Sequence, residues 1–283
     1  MRFTVRRAFS ALAVLAVLIY MGAVVRLMMQ ETELIFRTNA ARSDHRPSFP
    51  FRQVDLPRAD GARQFAWVMP SGNGATNGAT SDDIWILFLH GNAATIGSRM
   101  NVAHYQRLHE LGVSVLAPEY RGYNGLPGPP TEASVGEDAR AAYAYLRTQQ
   151  HVPPDRLAIF GWSLGAAIAV DLASEVEARV VILEGAPASV VDIGQDRYPY
   201  FPIRMIIHNP FNAIQKVARV RAPLLFLHSP EDIVIPFAEG RRLFEAAHPP
   251  KKFVEVRGGH IESSEKDHDV FYGAVRTALA QPK

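Results

Sequence analysis

The segment Gly161-Trp162-Ser163-Leu164-Gly165 combines residue types at a spacing that suits a nucleophilic serine. The pattern G-x-S-x-G is typical of a sharp turn between a strand and a helix, where the serine hydroxyl is exposed. A residue in such a strained turn needs small neighbours, because side chains two positions before and after it would collide with the strand and the helix. The same five residues also fit an ordinary strand-to-helix turn, so the rest of the chain has to decide between a nucleophile and a turn residue.

A nucleophilic serine needs a histidine that accepts its proton and an acid that orients this histidine. Asp232, in the segment HSPEDIVIP, and His260, in EVRGGHIES, each follow an apolar run, as residues at strand ends do. We therefore predict that His260 takes the proton of Ser163 and that Asp232 stabilises the charged imidazole. Glu184, which ends another apolar run, is the alternative acid.

Acyl transfer also needs backbone N–H groups that bind the negative oxygen of the intermediate. One candidate is the N–H of Leu164, directly after Ser163. The second belongs to the loop LHGNAAT, which follows the apolar run Ile84 to Leu89. Gly91 lets this loop turn sharply, which favours the N–H of Asn92 as the second donor and leaves Ala93 as the alternative.

Continuous apolar runs, typical of parallel strands buried on both faces, alternate with helical stretches through most of the chain. The runs are Ile84 to Leu89, Val113 to Ala117, Leu157 to Phe160, Val180 to Leu183, Leu224 to Leu227 and Phe253 to Val256. The helices are expected at Ser98 to Leu111, Glu132 to Arg147, Leu164 to Val176, Ala238 to Ala247 and Glu265 to Ala280. Two alternating segments, Phe51 to Leu56 and Ala62 to Met69, precede the runs as antiparallel strands. This order predicts an α/β fold with a doubly wound, mostly parallel sheet of about eight strands, which binds ligands at the carboxyl ends of the strands.

The composition favours one globular domain and excludes several functions. At 283 residues and 48% hydrophobic content, the chain is long enough to bury a sizeable core. Its net charge of +2 comes from intermixed acidic and basic residues, without the basic field that nucleic-acid binding needs. The absence of cysteine excludes thiol catalysis, and the histidines show no pair at metal-ligand spacing, since His104 and His109 are five residues apart. We expect no nucleic-acid partner, no metal and no cofactor.

An apolar stretch from Ala8 to Val25 follows the basic start MRFTVRR. As a helix with a rise of about 1.5 Å per residue it would extend about 27 Å, close to the hydrocarbon thickness of about 30 Å. The stretch is longer than the apolar core of a signal peptide, for which Ala23-Val24-Val25 would be the cleavage site. We therefore predict a single-pass anchor over residues 1–29, with cleavage and secretion as the alternative. Because three arginines precede the stretch and only Arg26 directly follows it, the N-terminus is expected in the cytoplasm and the rest of the chain on the other side.

After the anchor, we predict a connector over residues 30–48 and one α/β domain over residues 49–283. Within this domain, the stretch 187–220 is too long for a plain strand connection and is rich in aromatic and aliphatic residues. We interpret it as a small lid that lines a pocket for an apolar group. The alternative is an excursion of the chain that buries the same side chains against the sheet.

The segments LHGN, PEYRGYNG, GWSLGAA, HSPEDIVIP and GGH together resemble the α/β-hydrolase superfamily across nearly the whole soluble region. The chain looks most similar to a group of membrane-anchored serine hydrolases related to protein depalmitoylases and lysophospholipase-like enzymes. The resemblance implies that Ser163, Asp232 and His260 form the triad, in the chain order serine, acid, histidine. Two departures are the segment NGLPGPPTEAS after Tyr123, in place of a shorter glycine-serine run, and Ala166, where a third glycine is common.

These observations lead to the hypothesis of a serine hydrolase that cleaves carboxylic ester or thioester bonds through an acyl-serine intermediate. The anchor favours lipid-like or lipid-attached acyl substrates. A serine peptidase of the same fold would use the same residues. A third hypothesis, from another class, is a non-catalytic scaffold held at a membrane, although a scaffold does not need a serine, an acid and a histidine at three strand ends.

Overall fold

The computed structural model describes residues 2–40, 43–58, 61–72 and 83–281. Within these ranges, one sheet contains the strands β1 (Arg52–Asp55), β2 (Phe65–Met69), β3 (Trp85–Leu89), β4 (Ser114–Pro118), β5 (Leu157–Trp162), β6 (Val181–Glu184), β7 (Leu224–His228) and β8 (Lys251–Glu255). Their order across the sheet is β1-β2-β4-β3-β5-β6-β7-β8. The pairs β1–β2 and β2–β4 are antiparallel, and all other neighbours are parallel. The prediction of a mostly parallel, doubly wound sheet is confirmed.

The helices of the described ranges connect these strands and follow the last one. They are α1 (Arg2–Phe36), α2 (Arg99–Glu110), α3 (Glu132–Thr148), α4 (Leu164–Ala173), α5 (Val190–Arg197), α6 (Ile203–Ile206), α7 (Phe237–Ala246), α8 (Ser263–Lys266) and α9 (His268–Ala280). The single helix expected from Glu265 to Ala280 is interrupted at Asp267, which leaves the helical conformation (φ −119°, ψ 40°). The Asp267 carboxylate accepts hydrogen bonds from the backbone and the guanidinium of Arg257 at 3.0 and 2.9 Å, and these contacts stabilise the break.

Side chains of the central strands alternate between two apolar layers, one on each face of the sheet. Leu87 and Leu89 of β3 face the layer that contains side chains of α3 and α4. Ile86 and Phe88 face the opposite layer, which contains side chains of α2 and α9. Because both faces are covered, the strands are continuous apolar runs in the sequence. The carboxyl ends of the parallel strands meet at one edge, where the candidate site residues lie.

Helix α1 is long and apolar enough to cross a membrane. Its candidate span is Phe9–Phe36, with a mean hydropathy of 2.3 over its most apolar 18-residue window. From residue 9 to residue 22, every position is exposed to the surroundings of the chain. The first half of α1 therefore stands clear of the domain up to Tyr20, whose ring contacts Phe201 in the segment 187–220.

The second half of α1 packs on the α/β domain along one helix face. Val24 is buried, and Leu27, Glu31 and Ile35 are half-buried, at the three- and four-residue spacing of a helical stripe. The helix ends with Phe36, which is completely buried. The same helix therefore contains both the exposed apolar stretch and the residues that pack on the domain.

The connector expected over residues 30–48 therefore begins inside α1, and the helix continues past residue 29. The ring of Phe36 packs edge-on against Phe211, with 5.8 Å between ring centroids, and Arg37 ends the helix with φ 51°. The packing partner lies far away in sequence, so the local pattern of residues 30–36 did not reveal the helix end. Residues 41 and 42 of the expected connector lie outside the described residues.

Candidate active site

Ser163 occupies the sharp turn between β5 and α4, with φ 55° and ψ −120°. This backbone conformation is costly for a residue with a side chain and persists only where close packing enforces it. A Cβ atom on Gly161 would overlap the carbonyl oxygen of Gly165, and a Cβ atom on Gly165 would overlap that of Leu89. The two flanking glycines therefore allow β5, α4 and β3 to approach closely enough to hold the turn.

His260 connects Ser163 to Asp232 through two short hydrogen bonds. The Ser163 hydroxyl donates to His260 Nε2 over 2.8 Å, and His260 Nδ1 donates to Asp232 Oδ2 over 2.6 Å. Ser163 is 5% exposed and Asp232 is 7% exposed, so the chain of bonds is shielded from water except at the serine face of the cavity. The structure thus brings together the three residues that the sequence singled out, in the geometry of a nucleophile, base and orienting acid.

The other oxygen of the Asp232 carboxylate is held by the backbone that follows it. Oδ1 accepts hydrogen bonds from the N–H groups of Val234 and Ile235 at 2.8 and 2.9 Å. Burial opposes the ionisation of this carboxyl. Hydrogen bonds from His228 and His260, the positive form of His260 and the backbone bond from Ile235 outweigh burial and hold the pKa of Asp232 below its usual range. Asp232 is therefore ionised at neutral pH and is able to stabilise an imidazolium.

His228, at the end of β7, is a neighbour of Asp232 that sequence analysis missed. Its Nε2 atom donates to the carbonyl oxygen of Ile235 at 3.1 Å and lies 3.4 Å from Asp232 Oδ2. A Cβ atom on Gly240 would overlap the His228 ring, so this glycine makes room for the imidazole. The sequence indicated this contact only through the four-residue spacing of His228 and Asp232. The turn after β7 is what brings the two side chains together.

The two residues whose N–H groups are predicted to bind an oxyanion line the same cavity as Ser163. Asn92 and Leu164 both line this cavity. Neither N–H group donates a hydrogen bond to another of the described residues. The N–H of Ala93 donates instead to the carbonyl oxygen of Phe36 at 3.1 Å, which favours Asn92 over Ala93 as the second donor.

The last turn of α1 holds the loop that carries Asn92. The side chain of Asn92 donates to the carbonyl oxygen of Ile35 at 2.9 Å. The carbonyl oxygen of Phe36 accepts from Ala93 and also from the hydroxyl of Tyr123, the latter at 2.6 Å. Carbonyl groups at a helix C-terminus lack partners within the helix. Here the loop beside Ser163 provides those partners, so α1 and the site are directly connected.

The cavity in front of Ser163 has a volume of about 530 Å³ and lies between α1 and the segment 187–220. The first part of this segment contributes to the wall through Val190, Ile193, Ile203, Ile206 and Ile207. The second part packs into the core through Phe211, Ala213, Val217 and Val220. The two interpretations of 187–220, pocket lining and core packing, therefore each describe one half of the segment.

The carboxyl group of Glu184, the alternative acid, contacts Ser263 and His104 and has no hydrogen bond to His260. Its Oε1 atom accepts a hydrogen bond from Ser263 at 3.1 Å, and its Oε2 atom lies 3.4 Å from His104 Nε2. Burial raises the pKa of Glu184 to about 8, and burial lowers the pKa of His104 to about 3. Both groups are therefore neutral at pH 7, and their contact is not an ion pair.

His90, next to the loop glycine Gly91, has a structural partner. Its Nε2 atom lies 3.0 Å from the carboxylate of Glu119, and both residues are completely buried. The other oxygen of Glu119 accepts from the N–H of Ile96 at 3.2 Å. In the part of the chain that the structure describes, no group of three His, Asp or Glu side chains is placed to hold a metal ion.

Comparison with known proteins shows the family of this fold. Residues 86–256 match the family described as the alpha/beta hydrolase family. The chain belongs to this family. The resemblance of the chain to the α/β-hydrolase superfamily, stated from its motifs, is confirmed.

Relatives of this α/β-hydrolase include an uncharacterised protein of Mycobacterium tuberculosis that is 34% identical over 97% of this chain and 96% of that protein. The human alpha/beta hydrolase domain-containing protein 17B is 32% identical over 62% of this chain and 59% of its own length. Among solved structures, an esterase domain from Rhodothermus marinus superposes with a TM-score of 0.60 and 25% identity, covering 82% of this chain and 98% of that domain. The family and these neighbours support a hydrolase.

In this α/β-hydrolase, the structure adds one wall of the cavity that the motifs did not reveal. Leu27, Glu31 and Ile35 of α1 line the cavity opposite the segment 187–220. Their spacing was visible in the sequence, but it lay in a segment interpreted as anchor and connector. The N-terminal helix therefore contributes directly to the candidate active site.

Proposed function

We propose that this α/β-hydrolase cleaves carboxylic ester or thioester bonds through an acyl-serine intermediate, with Ser163, His260 and Asp232 as catalytic residues. The observation that carries the proposal is the hydrogen-bonded chain from the Ser163 hydroxyl through His260 to Asp232, with 2.8 and 2.6 Å between the paired atoms. A serine in a strained turn, bonded to an imidazole that an ionised carboxylate orients, is prepared to attack a carbonyl carbon.

In the first half of the reaction, Ser163 Oγ forms a bond to the acyl carbon while its proton moves to His260 Nε2. The negative oxygen of the tetrahedral intermediate accepts hydrogen bonds from the N–H groups of Leu164 and Asn92. His260 then gives the proton to the departing alcohol or thiol, and the acyl group stays on Ser163. In the second half, His260 takes a proton from water, and the water oxygen forms a bond to the acyl carbon. The bond from this carbon to Ser163 Oγ then breaks, His260 returns the proton to Oγ, and the acid is released.

The cavity supports an apolar acyl group as the part of the substrate next to Ser163. Aliphatic side chains of the lid segment 187–220, such as Val190, Ile203 and Ile206, line its wall. Apolar pockets with a few convergent polar groups are typical of small-molecule sites. We therefore assign the first half of 187–220 the role of the predicted lid.

We further propose that α1 is an uncleaved single-pass anchor, with its N-terminus in the cytoplasm and the catalytic domain on the other side. Cleavage at Ala23-Val24-Val25 would remove Val24, which is buried against the domain, and the helix segment before it. The contacts of α1 with the domain thus favour retention over secretion. They also favour a catalytic unit that includes the last turns of α1 together with residues 49–283.

Labelling with a fluorophosphonate probe tests the serine mechanism. We expect the full-length protein to be labelled and Ser163→Ala and His260→Ala to remain unlabelled, while Ser174→Ala, a control directly after α4 and outside the cavity, is labelled like the original. Hydrolysis of p-nitrophenyl esters of increasing length and of peptide p-nitroanilides then separates an esterase from a peptidase. A folded protein that neither labels nor hydrolyses any of these compounds would favour the scaffold hypothesis.

A further inference from the structure

We propose that this hydrolase takes its acyl substrates directly from a lipid bilayer, through the gap between α1 and α6, and that the outer edge of the lid lies in that bilayer. The inference rests on the proposed hydrolase function and deepens it, because it names the source of the substrate and its route to Ser163. The occupant of the gap is the acyl chain of an amphiphile dissolved in the membrane.

The first observation is that the lid contacts the apolar, exposed half of α1. The ring of Tyr20 stacks on Phe201 with 5.7 Å between centroids, and the Tyr20 hydroxyl donates to the carbonyl oxygen of Tyr200 at 2.9 Å. Tyr20 precedes the exposed Arg26 by six residues, or about 9 Å of helix. Elements that lie in the membrane interface are buried by about 5–10 Å. If α1 spans the bilayer up to Arg26, this corner of the lid lies at that depth.

The second observation is the exposure of large apolar side chains at the same corner. Tyr200 is 86% exposed and Met205 is 85% exposed, although both belong to a short segment whose other apolar residues face inward. Ile233, which directly precedes the cavity-lining Val234, is 94% exposed. Apolar surface of this kind marks a site of contact with a protein or a membrane. Its continuity with the apolar half of α1 favours the membrane.

The third observation is that α6 separates the cavity from this exposed surface by a single layer of side chains. Ile203 and Ile206 line the cavity, whereas Met205 on the same helix points outward. On the other side of the gap, Leu27 and Met28 of α1 also line the cavity. The boundary between the cavity and the surroundings of α1 is therefore apolar on both sides.

The fourth observation is that α1 and the lid are attached at two separated points. One is the Tyr20 contact, and the other is Glu31, whose Oε1 atom accepts from the backbone N–H groups of His208 and Asn209 at 2.9 and 2.7 Å. Tyr20 and Glu31 are eleven residues apart, which corresponds to about 16 Å along α1. Leu27 and Met28 lie between the two attachments, where the gap provides an apolar path to the cavity.

The position of the lid edge is measured without reference to catalysis. The chain contains no cysteine, so Met205→Cys and the control Arg276→Cys each provide one labelling site in the full-length protein. Arg276 is exposed on α9, which packs on the opposite face of the sheet from Phe36. In phosphatidylcholine nanodiscs, we expect an environment-sensitive fluorophore at position 205 to be quenched by nitroxide-labelled acyl chains, and the same fluorophore at position 276 not to be quenched. Equal insensitivity at both positions overturns the inference and favours a protein partner on this surface.

The route is tested with Leu27→Trp, which narrows the gap, and Met29→Trp, a matched control. Met29 is 81% exposed and lies on the same helix, away from the cavity wall. For Leu27→Trp we expect kcat/KM for p-nitrophenyl dodecanoate in the bilayer to fall at least about tenfold more than kcat/KM for water-soluble p-nitrophenyl acetate, which does not have to pass the gap. Met29→Trp is expected to change neither value. Fluorophosphonate labelling of Leu27→Trp shows that the variant is folded.

The proposed route is overturned if Leu27→Trp lowers kcat/KM for the dodecanoate and the acetate to the same extent, or if it lowers neither. A protein that labels and hydrolyses the acetate while position 205 remains unquenched refutes the bilayer source and leaves the hydrolase function intact. If the original protein neither labels nor hydrolyses either ester, the proposed function fails and the inference fails with it.

Discussion

The two sides of Ser163 are built in different ways. On one side, His260 and Asp232 follow the neighbouring parallel strands β8 and β7, and His260 lies within hydrogen-bond distance of both Asp232 and Ser163. On the other side, the cavity wall consists of α1 and the lid, which pack against each other outside the sheet. The candidate catalytic residues are thus positioned by the sheet, whereas the cavity beside Ser163 depends on peripheral elements. Substitutions on the two sides should separate these contributions.

The largest effect is expected for Asp232→Asn, compared with Glu184→Gln. Loss of the orienting carboxylate should lower kcat by about 10⁴-fold, because the amide cannot stabilise the imidazolium and favours the wrong tautomer of His260. Glu184 is already protonated at pH 7, so its amide variant should change kcat by less than about threefold. Initial rates with p-nitrophenyl acetate measure both. A large loss of kcat in Glu184→Gln would contradict the assignment of the orienting acid to Asp232.

On the peripheral side, Phe36→Ala is expected to destabilise the domain. The buried ring contacts Phe211, and its truncation should lower the free energy of unfolding by about 3–5 kcal/mol. Met29→Ala, at an exposed position of the same helix, should change it by less than about 0.5 kcal/mol. Denaturant unfolding in detergent measures both variants. Similar stabilities would show that α1 is a tether and not part of the domain.

A smaller effect concerns the pH dependence of stability at Glu184. The pKa of this carboxyl is about 8 in the folded protein and 4.5 in the unfolded chain, so between these values the folded state holds a proton that the unfolded state has released. Stability from this group is therefore greatest below pH 4.5 and decreases as the pH rises, by up to about 1.4 kcal/mol per pH unit until pH 8. Glu184→Gln should remove this decrease. Unfolding curves of both proteins at pH 6 and pH 8 test the difference, and parallel pH profiles would contradict it.

The smallest effect is expected for Asn92→Ala, which links the two sides. The substitution keeps the backbone N–H but removes the hydrogen bond to the Ile35 carbonyl, a contact worth about 0.5–1.5 kcal/mol. We expect kcat to fall about threefold to tenfold with KM nearly unchanged, because the N–H is less well positioned for the transition state. Asn39→Ala, which removes a side-chain bond to Glu33 on the surface, is the control. An unchanged kcat would mean that α1 does not position this loop.

The sheet was predictable because each buried strand is a continuous apolar run whose period differs from that of the intervening helices. The site residues were predictable for a related reason, since Ser163, Asp232 and His260 each follow such a run. His228 was missed because a histidine at the end of an apolar run is commonly a structural residue, and its contact with Asp232 requires the turn at residues 229–235. The end of α1 was missed because its partner Phe211 is remote in sequence.

By itself, the sequence determined the α/β architecture, the order of the chemical groups and the apolar character of the N-terminal helix. These properties depend on local periodicity and residue type, which a single chain segment displays. Only the tertiary structure decided the 2.6 Å contact of His260 with Asp232, the neutral state of Glu184 and the place of α1 in the cavity wall. Distances between remote segments and the electrostatic effect of burial arise only when the segments pack together, so local residue patterns do not predict them.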